Sequence, residues 1–325
     1  MAIATRLTER LGIRHPILLA PMATVAGGRL AGAVTAAGGL GIIGGGYGDA
    51  GWLEQQFAAA GNHRVGCGFI TWSLARQPQL LDAALAHRPA VVMLSFGDPK
   101  PFGARIKAAG AQLICQVQTL ARLREAIAAG ADIIVAQGSE AGGHGAQRAT
   151  LPFVPAMADT LAREAPETVL VAAGGIADGR GLAAALMLGA SGVLMGTRFY
   201  ASEESLAHPD AKARMEAALG EETIRTVTVD VVRNLPWPEE FTARVMRNPF
   251  VEAWQGREAA LAAARDSELP RYHAAAAAAD FSVACVFGGE AMGIFDKVRP
   301  AGDIVASIVA DAERALSAGA NLLTS

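Results

Sequence analysis

The chain has six histidines, and one of them stands where chemistry is expected. His144 lies in Gln137-Gly138-Ser139-Glu140-Ala141-Gly142-Gly143-His144-Gly145, directly after the apolar run Asp132–Ala136. That run reads as a buried parallel strand of β-branched residues. Gly142 and Gly143 let backbone approach a ligand without a Cβ in the way. An imidazole gains or loses a proton at little cost near neutral pH, so His144 suits general-base work or the holding of an anion. Glu140, four residues upstream, is the candidate to orient it. His15, His63, His87, His208 and His273 lack such company. Neither they nor Asp178 and Asp230 show the spacing of a metal or nucleophile set, so no metal is implied.

A second constellation suits a phosphate. Gly174-Gly175-Ile176-Ala177-Asp178-Gly179 follows the apolar run ending at Ala173 and precedes a helix expected over 180–188. Gly196-Thr197-Arg198-Phe199 follows another such run. Glycine amides and a helix N-terminus at matched loops offer partial positive charge to an anion.

These loops need a scaffold that brings them to one end. Eight short apolar runs, at 17–21, 40–43, 65–69, 91–95, 112–116, 132–136, 169–173 and 192–195, alternate mostly with helical stretches. The pattern predicts a (β/α)₈ barrel, whose chemistry sits past the carboxyl ends of the strands. A doubly wound sheet would want a glycine fingerprint after its first strand, and Pro21-Met22-Ala23-Thr24 supplies none. Residues 1–205 therefore read as the barrel. Residues 206–285 read as a small, mostly helical cap, with helices over 208–219 and 242–272. Residues 286–325 return to the barrel through an amphipathic helix over 303–318.

Composition narrows the function. At 325 residues and 52% hydrophobic the chain can bury a large core, and its net charge of −3 argues against nucleic acid and anionic membrane surfaces. Cys67, Cys115 and Cys285 lie far apart in apolar runs, as buried free thiols do in a reducing cytoplasm. The N-terminus has no apolar signal core, and no apolar run reaches the ~18 residues of a membrane span. A homodimer is one arrangement open to it.

The motifs Ala20-Pro21-Met22, Gly38-Gly39-Leu40-Gly41, Gln137–Gly145, Ala172–Gly179 and Met195–Phe199 occur in the order found in nitronate monooxygenases, once called 2-nitropropane dioxygenases. Over about 200 residues the chain resembles that family. The resemblance implies FMN, with its phosphate on Gly175, Gly196 and Thr197, and with Ala173 and Gly174 leading into that turn. It implies Ala20, Pro21, Met22, Thr24 and Gly68 near the ring, Gln116 and Gln137 as polar contacts, Gly142 and Gly143 on the loop, and the segment Phe287–Gly293 closing over it. Some relatives carry lysine in place of Gln116, and several carry glutamine in place of Glu290. The implied activity is oxidative denitrification of nitronates, and of nitroalkanes, by O₂ to a carbonyl compound and nitrite, with His144 catalytic. An NAD(P)H-dependent FMN reductase of quinones or enoyl thioesters is the alternative, since such reductases share a similar Glu-Ala-Gly-Gly-His loop.

Overall fold

In a computed structural model, describing residues 3–322, the strands are β1 (Ile17–Leu19), β2 (Ile42–Gly46), β3 (Gly66–Ile70), β4 (Val91–Ser95), β5 (Gln112–Val117), β6 (Ile133–Gln137), β7 (Gly143–Gly145), β8 (Val169–Ala173), β9 (Val193–Met195), β10 (Thr223–Thr226) and β11 (Thr242–Met246). Eight of them form one parallel sheet in the order β1-β9-β8-β6-β5-β4-β3-β2. Its ends meet where Leu19 N donates to Leu40 O at 3.0 Å and Leu40 N to Ile17 O at 3.0 Å, closing the (β/α)₈ barrel. The expected runs and the observed strands coincide within a few residues. β2 runs on through the glycine triplet to Gly46, and the helix Gln79–Ala86 was not foreseen.

The period-2 alternation of each strand sorts its side chains into two cores. Leu18, Val91, Met93, Ile114, Ile133, Val135, Val169 and Val171 fill the barrel interior. Their neighbours Ile17, Leu19, Val92, Leu94, Leu113 and Ile134 pack outward with the helices. The C-terminal helix Ala301–Ala320 joins that outer layer through Ile304, Val305, Ile308 and Ala312. It lies so close to the helix Gly179–Met187 that a Cβ on Gly179 would collide with the backbone of Ala312.

A separate apolar core is built on Val229, Val232, Val245, Phe250, Val251, Leu261 and Tyr272. One expectation fails here. Thr242–Met246 is not the start of a helix but the strand β11, antiparallel to β10 and to β7. Its burial alternates through Thr242, Ala243, Arg244 and Val245, a period-2 pattern set by packing against both neighbours rather than by intrinsic propensity. The helix begins only at Pro249, where Asn248 accepts from Val251 N at 2.8 Å.

Candidate active site

His144 and every residue nominated as a cofactor contact line a single cavity of about 460 Å³ at the carboxyl ends of the barrel strands. Two close approaches shape its floor. A Cβ on Gly44 would collide with the carbonyl of Met22, and one on Gly68 with the ring of Pro21. Glycine at both places lets the turn after β1 settle against β2 and β3, presenting Ala20, Pro21, Met22 and Thr24 to the cavity.

At one end lie the paired glycine loops. Gly174 and Gly175 have φ of 106° and 71°, a left-handed backbone that glycine adopts without penalty. Among the described residues nothing accepts from the amides of Gly175 or Gly196. Buried or half-buried amides normally find a partner, so these donors suit a bound phosphate. Asp178 caps the helix Gly179–Met187, accepting from Gly181 N at 3.0 Å and so satisfying one of its first-turn amides. The segment 287–293 closes over this end, with Gly289 N donating to Thr197 Oγ1 at 3.0 Å and Glu290 N to Glu140 O at 2.9 Å. Phe287 and Ala291 reach the cavity, whereas Glu290 turns away to pair with Arg244 at 2.7 Å.

Gln116 and Gln137 differ in what they can offer. Gln116 is buried, lines the cavity and has no side-chain partner among the described residues. Gln137 is engaged within the protein: its Nε2 donates to His144 O at 2.9 Å and its Oε1 accepts from Gln118 Nε2 at 2.7 Å. It therefore fixes the histidine loop before it can contact any ligand.

His144 sits at the centre of β7, paired with Ala243 of β11. Its ring stacks on Trp237, with centroids 3.4 Å apart and planes within 4°. Nε2 lies 2.8 Å from Asp230 Oδ2, and both side chains are buried. Asp230 Oδ1 in turn accepts from Arg233 at 3.3 Å. A carboxylate can only accept, so the neutral ring carries its proton on Nε2. That leaves the Nδ1 lone pair, which has no partner among the described residues, open to the cavity. Burial lowers the His144 pKa, and the neighbouring Asp230 carboxylate offsets this only in part, so the ring is neutral at physiological pH.

Two expectations are corrected here. Glu140 does not orient His144; its carboxylate accepts from Thr150 N at 2.9 Å and from Thr150 Oγ1 at 2.8 Å. It thereby caps the helix Thr150–Glu164, whose own N-cap, Ala149, has no side chain to do so. The orienting carboxylate is Asp230, which the sequence reading had set aside. Cys285 is half-buried on the cavity wall rather than in the core, its thiol pushed up to about 11 by burial. Tyr47, Arg233 and Trp237 also line the cavity and carried no local signal, except that Pro236-Trp237-Pro238 marks a rigid turn.

A profile of the family described as nitronate monooxygenase matches residues 4–63 and 70–311. The chain is 31% identical to a nitronate monooxygenase of Neurospora crassa, covering 92% of this chain and 90% of that one. It is 37% identical to an octahydro-indene-carboxyl-CoA dehydrogenase of Mycobacterium tuberculosis, over 78% and 68% of the two chains. Its fold is similar to FabK from Thermotoga maritima, with a TM-score of 0.86 at 30% identity, covering 99% of this chain and 100% of that one. The chain thus belongs to the nitronate monooxygenase family of flavin-dependent oxidoreductases.

Proposed function

We propose that this protein binds FMN and uses O₂ to convert alkyl nitronates, and nitroalkanes after deprotonation, to a carbonyl compound and nitrite. The observation that carries the reading is the His144 ring. It is neutral, held through Nε2 by Asp230, and keeps its Nδ1 lone pair on the cavity. Such a group removes the α-proton of a neutral nitroalkane, and Asp230 then balances the imidazolium that results. Stacking on Trp237 leaves the ring little freedom to turn away.

The amides of Gly175 and Gly196 would hold the phosphate of FMN. Ala20, Pro21, Met22, Thr24, Gly68, Ala173 and Gly174 would line its length, and Thr197, Gly142, Gly143, Gln137 and Gln116 its polar edge. The volume lies within the ~300–1,000 Å³ usual for cofactor and ligand pockets. One set of amide donors argues for a mononucleotide. When bound, FMN supplies the redox chemistry between nitronate and dioxygen. Residues 1–205 would be the flavin-binding barrel, 206–285 the cap that completes the substrate side, and 286–325 the returning segment.

Purified protein should be yellow and release FMN on heating, and it should consume oxygen when given a nitronate. Heat-released FAD, or no oxygen uptake by FMN-loaded protein, overturns the reading. The alternative, an NAD(P)H-dependent reductase of quinones or enoyl thioesters, draws support from the carboxyl-CoA dehydrogenase relative. Fast anaerobic bleaching of the flavin by NADH or NADPH would favour it.

A further inference from the structure

Two side chains on the cavity wall are not used by the chemistry above. Trp237 Nε1 donates to Tyr47 Oη at 3.0 Å, so acceptor capacity of this hydroxyl is spent on the indole. Its own O–H has no acceptor among the described residues. Burial pushes the phenol pKa up, so the proton stays in place.

Arg233 is the one permanently charged side chain among the described residues that line the cavity. Its Nε donates to Val229 O at 3.0 Å and one terminal nitrogen to Asp230 Oδ1 at 3.3 Å. The guanidinium also acts on the Tyr47 hydroxyl as a hydrogen-bonding neighbour, and its five N–H groups exceed these three acceptors. Asp230 shares its two oxygens between the neutral His144 ring and Arg233, so its charge is matched by the guanidinium while Arg233 keeps N–H groups that the carboxylate does not take.

We propose that the Tyr47 hydroxyl and the open side of the Arg233 guanidinium form an oxyanion subsite that takes the two oxygens of the nitronate. The proposal rests on the denitrification reading and names where its substrate binds. The donor set has an O–H without an acceptor among the described residues and more guanidinium N–H groups than protein acceptors to take them. A planar guanidinium matches a planar two-oxygen anion, as it matches a carboxylate. Trp237 and Phe287, the latter with its ring centroid 5.8 Å from the guanidinium, give this part of the cavity an aromatic wall. The proton step also needs such donors. As His144 Nδ1 takes the α-proton, the C–H bond breaks and an N–H bond forms on the ring. The released electron pair makes the C=N bond of the nitronate, and the N=O electrons move onto oxygen. Negative charge therefore grows at the nitro oxygens, where fixed donors stabilise it.

The test is the binding of nitrite, a two-oxygen anion, to oxidised holoenzyme at constant ionic strength, read by calorimetry and by the flavin absorbance band. Wild type should bind one nitrite per chain. Tyr47→Phe keeps Asp230 and its bonds to His144 and Arg233 in place and should weaken binding roughly 10- to 150-fold, the loss of one hydrogen bond to an anion. Arg233→Met should weaken it roughly 10- to 150-fold, the loss of a charge-assisted contact. Arg233→Lys, which keeps the charge that Asp230 needs, guards against misfolding and should fall between wild type and Arg233→Met. Flavin content reports that each variant is folded. Wild type that binds no nitrite, or loaded variants that bind it as tightly as wild type, would overturn the subsite. Should nitrite binding respond as expected while wild type shows no nitronate-dependent oxygen uptake, the subsite stands and the denitrification reading falls.

Discussion

Asp230→Asn should separate proton abstraction from everything else the site does. The carboxylate holds the proton on His144 Nε2 by accepting at Oδ2, while Oδ1 accepts from Arg233. An asparagine has one oxygen and one NH₂ for those two positions. Arg233 can only donate, so the amide oxygen is drawn to it and the NH₂ faces Nε2. His144 must then accept at Nε2 and carry its proton on Nδ1, which removes the lone pair from the cavity. Loss of a general base costs about 10²–10⁴-fold, and kcat/KM for a neutral nitroalkane should fall by that much. A preformed nitronate has no proton to lose and should fall less than about threefold on the same reasoning. Oxygen uptake with the two substrate forms, mixed fresh so that they do not interconvert, reads both values. His144→Asn should match Asp230→Asn on nitroalkane, and the double variant should be no worse than either single one, because the two side chains act as one unit. Equal losses on both substrates, or losses that multiply in the double variant, would refute the orienting role.

Further expectations follow from other parts of the cavity. Because burial lowers the His144 pKa, wild-type turnover of nitroalkane should stay level as pH falls through about 6.5, the ordinary histidine value, and decline only below it; a pH–rate profile with its acidic limb above that value would contradict a neutral His144. Gly196→Val should yield folded apoprotein with a melting temperature near that of flavin-free wild type, since a Cβ there meets nothing nearer than the Ala20 methyl at 3.5 Å and the added bulk enters the phosphate space. Gly175→Val is the poorer test, because its φ of 71° would strain any branched residue with or without ligand. Gln116→Lys should raise the flavin midpoint potential, since a positive charge beside the ring favours its reduced anionic form; an unchanged potential in spectroelectrochemical titration would place Gln116 away from the ring.

The barrel and the cavity lining were legible in the sequence because their signals are local. An apolar run ending in glycine marks both a strand and the loop that must approach a ligand, and the nominated cofactor residues from Ala20 to Thr197 meet with His144 in one cavity. The partners of His144 were not legible for the opposite reason. Asp230 is 86 positions away from it, on a helix of only five residues with no amphipathic period to read. Glu140 was the nearer carboxylate, but sequence distance is a poor guide when a loop must turn back to cap a helix at Thr150. The strand β11 hid within a stretch that carried helix formers on its far side. Only its place between β7 and β10 makes it a strand, and that is a tertiary fact.

The two ends of the cavity have different origins in the chain. The amides of Gly174–Gly175 and Gly196 belong to loops that follow adjacent barrel strands, whereas His144 is held by β11, Asp230 and Trp237 from beyond residue 220. Assembly should therefore be staged in time. Contacts local to the barrel form ahead of those that wait on distant chain, so in refolding with FMN the flavin should be captured first and the histidine oriented later. A refolding course followed in parallel by flavin fluorescence and by nitroalkane turnover should show a yellow, catalytically silent species that matures without taking up more cofactor. Simultaneous recovery of both signals would mean that the cap and the barrel close as one event.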